Sequence, residues 1–349
     1  MARLDGVLPR RVTLAQVARA AGLSQTAVSL ALNRSPEECH LSVETRQKAL
    51  EAAHRLGYRP NWRARALAKR QTFTIGMVYA RQAPFMTAVN ETIVTALSET
   101  LHSAGYHQLL VPLLGGPEDW RDVIRPDRLD GCIVLFPMPP QLGQILEETT
   151  TPMVMINLLS DLPVPQVLPD DRRGTELLME HLFELGHKDI AIVYGAHHSH
   201  FSATIRRETY ERMMREAGLG DRINVISLPT VEPMVDGFVS GRYRPTAAIC
   251  FDHVLAINML KACAERGVRV PDDLSVATFN DVYPVGHVIP PLTSVALPGE
   301  QLGRTAGQML LKLIAQRRSE KGSADVEMRT WLPERLVIRN STAAPRQSE

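Results

Sequence analysis

The segment 12–33 places two short amphipathic helices on either side of one glycine, and this spacing constrains the fold more than any other feature. Thr13 can cap the first helix, because Gln16 follows it at the spacing of a capping box. Apolar residues then recur at helical intervals up to Gly22, which can adopt the left-handed conformation that ends a helix. Ser24 can cap the second helix. The segment therefore predicts a helix–turn–helix unit, with a plain helical hairpin as the alternative.

The second helix of this unit has an outward face of short polar side chains. Val28 and Leu32 recur at helical spacing and point inward, which leaves the polar positions facing solvent. The outward residues are Gln25, Thr26, Ser29 and Asn33. Such side chains can reach base edges and phosphates when a helix lies in the major groove of DNA. The pattern therefore favours a recognition helix over a plain hairpin.

The charge of the chain is divided between a basic N-terminal region and an acidic remainder. Residues 1–72 carry 13 Lys and Arg against 5 Asp and Glu, and residues 73–349 carry 26 against 33. The formal charges of these two parts, +8 and −7, sum to the +1 of the whole chain. This division is typical of a nucleic-acid-binding module attached to a domain with another role.

A third helix is predicted over 42–56, followed by an extended linker and a short basic helix. The apolar face of the third helix is predicted to contain Val43, Ala49, Leu50 and Ala53. Pro60 disfavours a helical conformation for the residue before it, so the chain around it should be extended. Residues 62–70 are too few to form a stable helix alone. We therefore expect that basic segment to be helical only when it is held, with DNA as the expected partner.

Three segments together resemble the start of a transcription regulator of the LacI/GalR family: VTLAQVARAAGLSQTAVSLALN, TRQKALEAAHRLGYRPN and RALAKRQTFTIGMV. The resemblance covers almost the whole chain, because landmarks at 180–190, 279–281 and 290–294 occur in the order of the family. It implies a bacterial, ligand-responsive, sequence-specific DNA-binding regulator, with repression of carbohydrate-metabolism genes as the expected role. It also implies a homodimer, since a two-fold protein reads a pseudo-palindromic operator.

The resemblance assigns DNA-contacting roles by position. Gln25 and Thr26 fall where the family reads bases, and Leu67 matches a hinge-helix leucine that wedges into the minor groove. Ala64 is small, as close packing of two hinge helices across a dimer axis requires. The alternative for Leu67 is a core position of a short helix. The complete set expected at the DNA is Thr13, Ser24, Gln25, Thr26, Ser29, Leu30, Asn33, Asn61, Ala64 and Leu67.

The head departs from the family pattern at two places. Leu30 stands where many members have a polar or basic residue that contacts bases. Leucine can contact a thymine methyl, but it cannot form hydrogen bonds with guanine. Residues 35–40 lengthen the connection to the third helix, and their acidic pair, Glu37 and Glu38, should face away from phosphate. The operator sequence therefore cannot be copied from other members of the family.

The rest of the chain alternates short apolar runs with amphipathic segments, which predicts doubly wound parallel sheets. The resemblance implies a periplasmic-binding-protein-like body of two lobes, with the chain crossing near 168, 294 and 324. The expected divisions are a helix–turn–helix domain at 1–59, a hinge helix and linker at 60–71, a ligand-binding and dimerisation body at 72–341, and a disordered tail at 342–349. Lobe 1 should contain about 72–168 and 295–323, and lobe 2 about 169–294 and 324–341.

Motifs of the common enzyme classes are missing from the sequence. The first strand is not followed by G-x-G-x-x-G, and neither a P-loop nor a G-x-S-x-G elbow occurs. Cys132, Cys250 and Cys263 lack metal-ligand spacing and are predicted to be inert core residues. The cluster at 197–200 contains three histidines, but no carboxylate or cysteine lies near it in sequence. It favours a polar loop over a zinc site, so no catalytic residue, metal or cofactor is predicted.

A ligand cleft is expected between the lobes, at the carboxyl ends of their strands. By resemblance, Arg206 is the arginine that clamps a hydroxyl or carboxylate of the ligand, unless it is an ordinary surface charge. Phe85 is expected to pack against the ligand, with core packing as the alternative. Phe251, Asp252 and Asn280 match further cleft positions, although many sugar-responsive members have Asn and Asp in place of Phe251 and Asn280. A sugar or sugar derivative is the expected effector.

The sequence predicts the compartment of the protein. It lacks a signal-peptide pattern and any apolar run long enough to span a membrane, and unpaired cysteines fit a reducing cytoplasm, so we expect a cytoplasmic protein.

Two other functions of the chain remain open. A cytoplasmic sugar-binding protein without specific DNA recognition is the first alternative, supported by Leu30 and the acidic insertion. An enzyme that uses the cleft is the second. The effector can be an inducer or a corepressor.

Overall fold

A computed structural model of the protein describes residues 12–33, 40–59, 66, 71–80, 87–113, 120–135, 142–195, 200–319 and 326–346. The chain divides into two compact units, residues 1–72 and 73–349. Helices alone form the described part of the first unit, and two sheets with flanking helices form the second, which confirms the predicted fold class. No helix within these described ranges is long and apolar enough to cross a membrane.

The helix starts and the turn of the head agree with the predictions made from local sequence. Thr13 Oγ1 accepts from the Gln16 N–H at 3.4 Å, and Gln16 Oε1 accepts from the Thr13 N–H at 2.8 Å, which completes the capping box. Gly22 ends the first helix with φ 66°. Ser24 Oγ accepts from the Ala27 N–H at 3.1 Å. The three helices are α1 (Leu14–Ala21), α2 (Gln25–Asn33) and α3 (Val43–Arg55).

Small side chains form the core of the head, and this corrects the predicted apolar face of α3. The buried residues are Val17, Ala18, Val28, Ala31, Ala49, Ala52 and Ala53. Val43 is 87% exposed and Leu50 is 39% exposed, so their assignment to the buried face is wrong. The reason is geometric, because α3 packs through its alanine stripe and this turns Val43 and Leu50 toward solvent.

Two six-stranded sheets form the body. The strands are β1 (Thr74–Ala80), β2 (His107–Leu113), β3 (Gly131–Leu135), β4 (Met153–Ile156), β5 (Gln166–Pro169), β6 (Ile190–Tyr194), β7 (Asn224–Ser227), β8 (Ala247–Cys250), β9 (Ser275–Phe279), β10 (Thr293–Ala296), β11 (Arg329–Leu332) and β12 (Arg335–Val337). Sheet 1 has the order β11-β5-β4-β3-β1-β2, and sheet 2 has the order β12-β10-β9-β8-β6-β7. Strand pairs within the described chain are parallel, apart from the antiparallel pair β10–β12.

Helices cover the sheets and bury their apolar strands. The helices of the body are α4 (Ala88–Ser103), α5 (Leu142–Glu148), α6 (Asp171–Glu184), α7 (Phe201–Glu216), α8 (Glu232–Val239), α9 (His253–Glu265) and α10 (Gly299–Ser319). A 3₁₀ turn spans Gly220–Arg222. Helices α4 and α10 share an apolar cluster with sheet 1, whereas α6 and α7 share one with sheet 2. Each lobe is therefore a sheet with its own hydrophobic core.

The chain passes between the two sheets at three places within the described body, and the last of them differs from the prediction. The first crossing joins β5 to α6, and the second joins β10 to α10. After α10 the chain adds β11 to sheet 1, beside β5, before β12 pairs with β10 in sheet 2. The expected placement of 324–341 entirely in lobe 2 is therefore wrong for β11. Main-chain pairing with β5 holds that strand, and sequence composition does not reveal such a partner.

Residues 342–346 are ordered against sheet 2, although the sequence predicted a disordered tail from 342. Ala343 O lies 2.8 Å from His187 Nε2 and accepts from Ser275 Oγ at 3.2 Å. The Thr342 hydroxyl lies 2.9 Å from His181 Nε2. The prediction failed because polar groups of α6 and β9 bind main-chain and hydroxyl groups of a segment that has little apolar character of its own. Residues 347–349 lie outside the described residues.

Glycines of α10 allow it to lie closely against α4. Gly299, Gly303 and Gly307 follow one another at four-residue intervals, which places them on one face of the helix. A β-carbon at Gly303 would collide with main-chain atoms of Ile93 and Leu97. Main-chain atoms cannot move aside as the end of a flexible side chain can, so this position requires glycine.

We predict that Gly303→Ala destabilises the body by about 1–3 kcal/mol, because overpacking forces the two helices apart. Urea unfolding of the full-length protein, followed by circular dichroism, measures the effect. Gly143→Ala is the matched control, since a β-carbon at this helical glycine meets no atom within 4 Å. This control should be neutral or slightly stabilising. Equal stability of the two variants would contradict the close packing described for α10.

Candidate DNA-binding face and ligand-binding cleft

The start of α2 presents the predicted DNA-reading residues to solvent. Gln25 and Thr26 are exposed, whereas Ser29 and Leu30 are half-buried. Because Val28 and Ala31 fix the opposite face in the core of the head, the outward orientation of α2 is set by packing. Thr13 and Ser24 are also exposed, but their side chains cap α1 and α2. The side chain of Asn33 and residues Asn61, Ala64 and Leu67 lie outside the described residues.

Arg206 of α7 forms a buried ion pair with Asp171, the first residue of α6. Its Nη2 and Nε atoms lie 2.6 Å and 2.7 Å from Asp171 Oδ1, and its Nη1 donates to the Phe251 carbonyl at 2.8 Å. The two charged side chains are 4% and 0% exposed, so Arg206 is not an ordinary surface charge. The other carboxylate oxygen, Asp171 Oδ2, accepts from Ser202 Oγ at 2.6 Å. Arg206, which the resemblance predicted to bind a ligand, is therefore already paired with a carboxylate of the protein itself.

Aromatic rings at the ends of β8 and β9 complete the surroundings of this pair. The guanidinium carbon of Arg206 lies 3.9 Å from the centre of the Phe279 ring and 5.0 Å from that of Phe251. The Phe251 ring also contacts Tyr194 at the end of β6, with ring centres 5.5 Å apart. Cation–π contacts of this kind are stronger where water is excluded. Carboxylate, carbonyl and rings together hold Arg206 in one orientation.

The remaining predicted cleft residues also lie at strand ends, with differing local roles. Asp252 follows β8 and caps α9, because its Oδ1 accepts from the Leu255 N–H at 2.8 Å. Asn280 follows β9 with φ 69°, a conformation that asparagine tolerates better than most residues. Phe85 lies outside the described residues. The structure thus brings Arg206, Phe251 and the end of β9 together, and assigns Asp252 a capping role that the resemblance did not indicate.

A hydrogen bond joins the two lobes beside this group. His200 Nε2 lies 3.2 Å from the main-chain oxygen of Asn157, which follows β4 of sheet 1. His200 Nδ1 accepts from the Ser202 N–H at 3.3 Å, so the neutral ring that donates through Nε2 satisfies both contacts. Burial lowers the pKa of His200 to about 4. The predicted polar loop therefore includes one histidine that links the lobes, whereas residues 196–199 lie outside the described residues.

Glu334 lies at the third crossing with its carboxyl group buried. Its Oε2 atom has no hydrogen-bond partner within the described part of the chain, and the side chain packs against Gly174 of α6. Burial, reinforced by the negative charge of Asp171, raises the pKa of Glu334 to about 8 although Arg206 opposes the shift. The side chain is therefore mostly protonated at neutral pH, which avoids burying a second negative charge beside Asp171.

Sequence reasoning missed Asp171, Asn157 and Glu334 as parts of this site. One signal was available: Asn157 directly follows β4 and Asp171 lies two residues after β5, and open α/β sheets bind ligands at such strand ends. The cysteine prediction is confirmed, since Cys132, Cys250 and Cys263 are buried free thiols. Burial raises the pKa of Cys132 to about 12, so it is not a thiolate at neutral pH.

Comparisons with known proteins agree about both parts of the chain. Residues 13–61 match the family described as bacterial regulatory proteins, lacI family, and residues 179–342 match a periplasmic binding protein-like domain. The HTH-type transcriptional regulator DegA of Bacillus subtilis (strain 168) is 30% identical over 350 residues, covering 95% of this chain and 98% of that protein.

Solved structures resemble the chain over nearly its full length. The Lac repressor dimer bound to operator and the anti-inducer ONPF has a TM-score of 0.78 at 26% identity, covering 96% of this chain and 100% of that one. A complex of the transcriptional regulator CelR with cellobiose has a TM-score of 0.66 at 25% identity, covering 95% of this chain and 100% of that one. The described fold is therefore shared by proteins that combine a DNA-binding head with a ligand-binding body.

The buried carboxyl of Glu334 predicts a specific pH dependence of stability. In the folded protein its pKa is about 8, above the ordinary value of 4.5, so folding takes up a proton between these values. The contribution of this group to the stability of the folded protein is therefore fully present below about pH 4.5 and is lost as the pH rises through 8. Glu334→Gln should remove this loss. The free energy of unfolding of the variant therefore rises relative to that of the wild type with increasing pH, by at most about 1.4 kcal/mol per pH unit.

Urea unfolding at a series of pH values from 5 to 9 measures this difference. The matched control is Glu99→Gln, which alters an exposed carboxyl on α4 and should keep the slope of the wild type. A constant difference in the free energy of unfolding between wild type and Glu334→Gln across this range would contradict the protonation of Glu334.

Proposed function

The chain belongs to the LacI family of bacterial regulatory proteins, and we propose that it is an effector-responsive repressor of carbohydrate-metabolism genes. In this proposal the head binds a pseudo-palindromic operator, the cleft of the body binds a small effector, and effector binding changes operator affinity. It acts as a homodimer in the bacterial cytoplasm. Domain boundaries are proposed at 59 and 71, with a hinge segment between head and body.

The observation that carries the DNA-binding role is the construction of α2. Its reading face is exposed at Gln25 and Thr26, and its opposite face is locked by the alanine-rich core. A recognition helix needs this rigidity, because a misplaced side chain cannot match the donor and acceptor pattern of a base pair. The charge of +8 on residues 1–72 supplies sequence-independent attraction to phosphate.

The cleft supports the effector-binding role. Polar and aromatic residues meet where β4 of sheet 1 and β6, β8 and β9 of sheet 2 end, which is the usual ligand position in open α/β sheets. Arg206 lies among them, and we propose that Phe85, Phe251, Asp252 and Asn280 border the same cleft. The sugar class is supported by the cellobiose complex of CelR. The cleft lies beside crossings of the chain, so a ligand there can favour one arrangement of the lobes over another.

A similar solved structure supports the proposed dimer. The Lac repressor, whose structure resembles 96% of this chain, was solved as a dimer bound to operator. A two-fold partner would supply the second head that a pseudo-palindrome requires.

Selection of binding sites from sheared DNA of the source genome, with the purified full-length protein at moderate salt, tests the proposal. We expect an enriched sequence with two-fold symmetry, located beside genes whose products suggest the effector. Absence of enrichment, with and without a pool of sugars, would instead favour a sugar-binding protein that does not recognise DNA specifically.

We predict that Gln25→Ala relaxes the preference at one base pair of each half-site, with a loss of about 1–3 kcal/mol for the preferred operator. The reason is that an amide at the start of a recognition helix can form two hydrogen bonds with adenine. Fluorescence anisotropy with the selected operator and single-base variants measures the preference. Gln47→Ala is the control, because Gln47 is exposed on α3 and bonds Glu51 within the same helix. An unchanged preference profile for Gln25→Ala would exclude Gln25 as a reader.

A further inference from the structure

We propose that Asp171 is a specificity-determining residue of the cleft, which occupies the anion-binding edge of Arg206 and thereby excludes acidic ligands. The effector is then an uncharged polyhydroxyl compound, and neither a sugar acid nor a sugar phosphate. This inference rests on the proposed role of the cleft as the effector site.

The occupied edge of Arg206 is the part that an acidic ligand would need. A guanidinium binds a carboxylate best through neighbouring N–H groups on one edge. In this protein Nε and Nη2 both point to Asp171 Oδ1, and Nη1 points to the Phe251 carbonyl. The guanidinium carbon also lies over the rings of Phe279 and Phe251. Three of the five N–H groups of Arg206 are therefore engaged, and Asp171 takes the edge formed by Nε and Nη2. A ligand at the two remaining N–H groups meets a guanidinium whose charge Asp171 already neutralises.

The internal carboxylate is held too firmly for a ligand to replace it easily. Asp171 is the first residue of α6, where the positive end of the helix dipole stabilises a negative side chain. Its second oxygen accepts from Ser202 Oγ, and Thr175 Oγ1 donates to its main-chain oxygen at 2.7 Å. An acidic ligand that displaced Asp171 would leave this buried charge without its partner, which is strongly unfavourable.

The charges around the pair also oppose an acidic ligand. Asp171 already neutralises Arg206, and the neighbouring carboxyl groups of Glu334 and Asp170 add no positive charge. A ligand carboxylate placed here would meet Asp171 at short range beside a guanidinium whose charge Asp171 already balances, so the desolvation of the ligand would be poorly compensated. A hydroxyl group meets no such penalty, because it can accept from the guanidinium and donate to a carboxylate oxygen.

Removal of the Asp171 carboxylate provides the test, because it should create an anion site where none exists in the wild type. The full-length wild type and Asp171→Ala are compared by thermal unfolding with sodium formate, glucuronate and galacturonate, and with glucose and galactose. Sodium chloride keeps the ionic strength constant. Asp171→Asn replaces the alanine variant if truncation prevents folding. Asp189→Asn is the matched control, since Asp189 is a surface carboxylate of the same lobe that pairs with Arg222.

We expect at least one of the three acids to raise the Tm of the Asp171 variant saturably, by about 3 °C or more at saturation. The same acids should leave the wild type and Asp189→Asn unchanged, and Arg206→Met in the variant background should abolish the gain. Saturable stabilisation of the wild type by a sugar acid, lost in Arg206→Met, would overturn the inference, as would a variant that gains no response to any acid. This readout does not involve DNA, so its outcome is separate from that of the operator selection.

Discussion

The buried contact between Arg206 and Asp171 is the interaction on which the organisation of the body depends. It ties α7 to the first turn of α6, and α6 begins where the chain has just left sheet 1. The guanidinium also binds the end of β8 through the Phe251 carbonyl and packs on Phe279 at the end of β9. One charged pair therefore fixes the parts of lobe 2 that border the other lobe. Such a pair is sensitive to any change that alters its charge or hydration.

The surroundings of the pair contain groups from both lobes whose arrangement a small ligand could change. His200 bonds the end of β4 in the opposite lobe, and Glu334 occupies the third crossing with a protonated carboxyl. A ligand that binds one arrangement of these groups more tightly shifts the population toward that arrangement. The shift cannot exceed its differential affinity, which is typically about 1–3 kcal/mol for such coupling. By reciprocity, a body arrangement that operator binding favours must also change ligand affinity by the same factor.

Local sequence predicted the head well, because its determinants are near neighbours in the chain. The Thr13–Gln16 capping box, the left-handed Gly22 and the Ser24 cap each involve residues within three positions of one another. Prediction failed for Val43, since the choice of buried face depends on which stripe of α3 meets α1 and α2. Alternation of strands and helices likewise predicted the two parallel sheets, because that rhythm is set by local periodicity and short connections.

The site itself was predicted only in part. Arg206 was found by resemblance, but its partner lies 35 positions away in the sequence, and neither composition nor spacing indicates that they pair. The pairing of β11 with β5 and the ordered segment 342–346 were missed for the same reason, since both depend on contacts between distant parts of the chain. Landmarks used for the resemblance also have structural roles. For example, Asp281 of the landmark at 279–281 accepts a hydrogen bond through its Oδ1 from Arg339 Nη1 at 2.7 Å.

In the proposed function the cleft is coupled to the head, so a change in the Asp171–Arg206 pair at the cleft should change the affinity for the operator. The most direct measurement is the operator Kd of full-length Asp171→Asn against the wild type at one salt concentration, with Asp189→Asn as control and folding verified by circular dichroism. We expect the operator Kd of Asp171→Asn to change by about fivefold or more, as a coupling of about 1 kcal/mol requires, and the Kd of the control to stay within about twofold of wild type. A folded Asp171→Asn protein with the operator Kd of the wild type would contradict it.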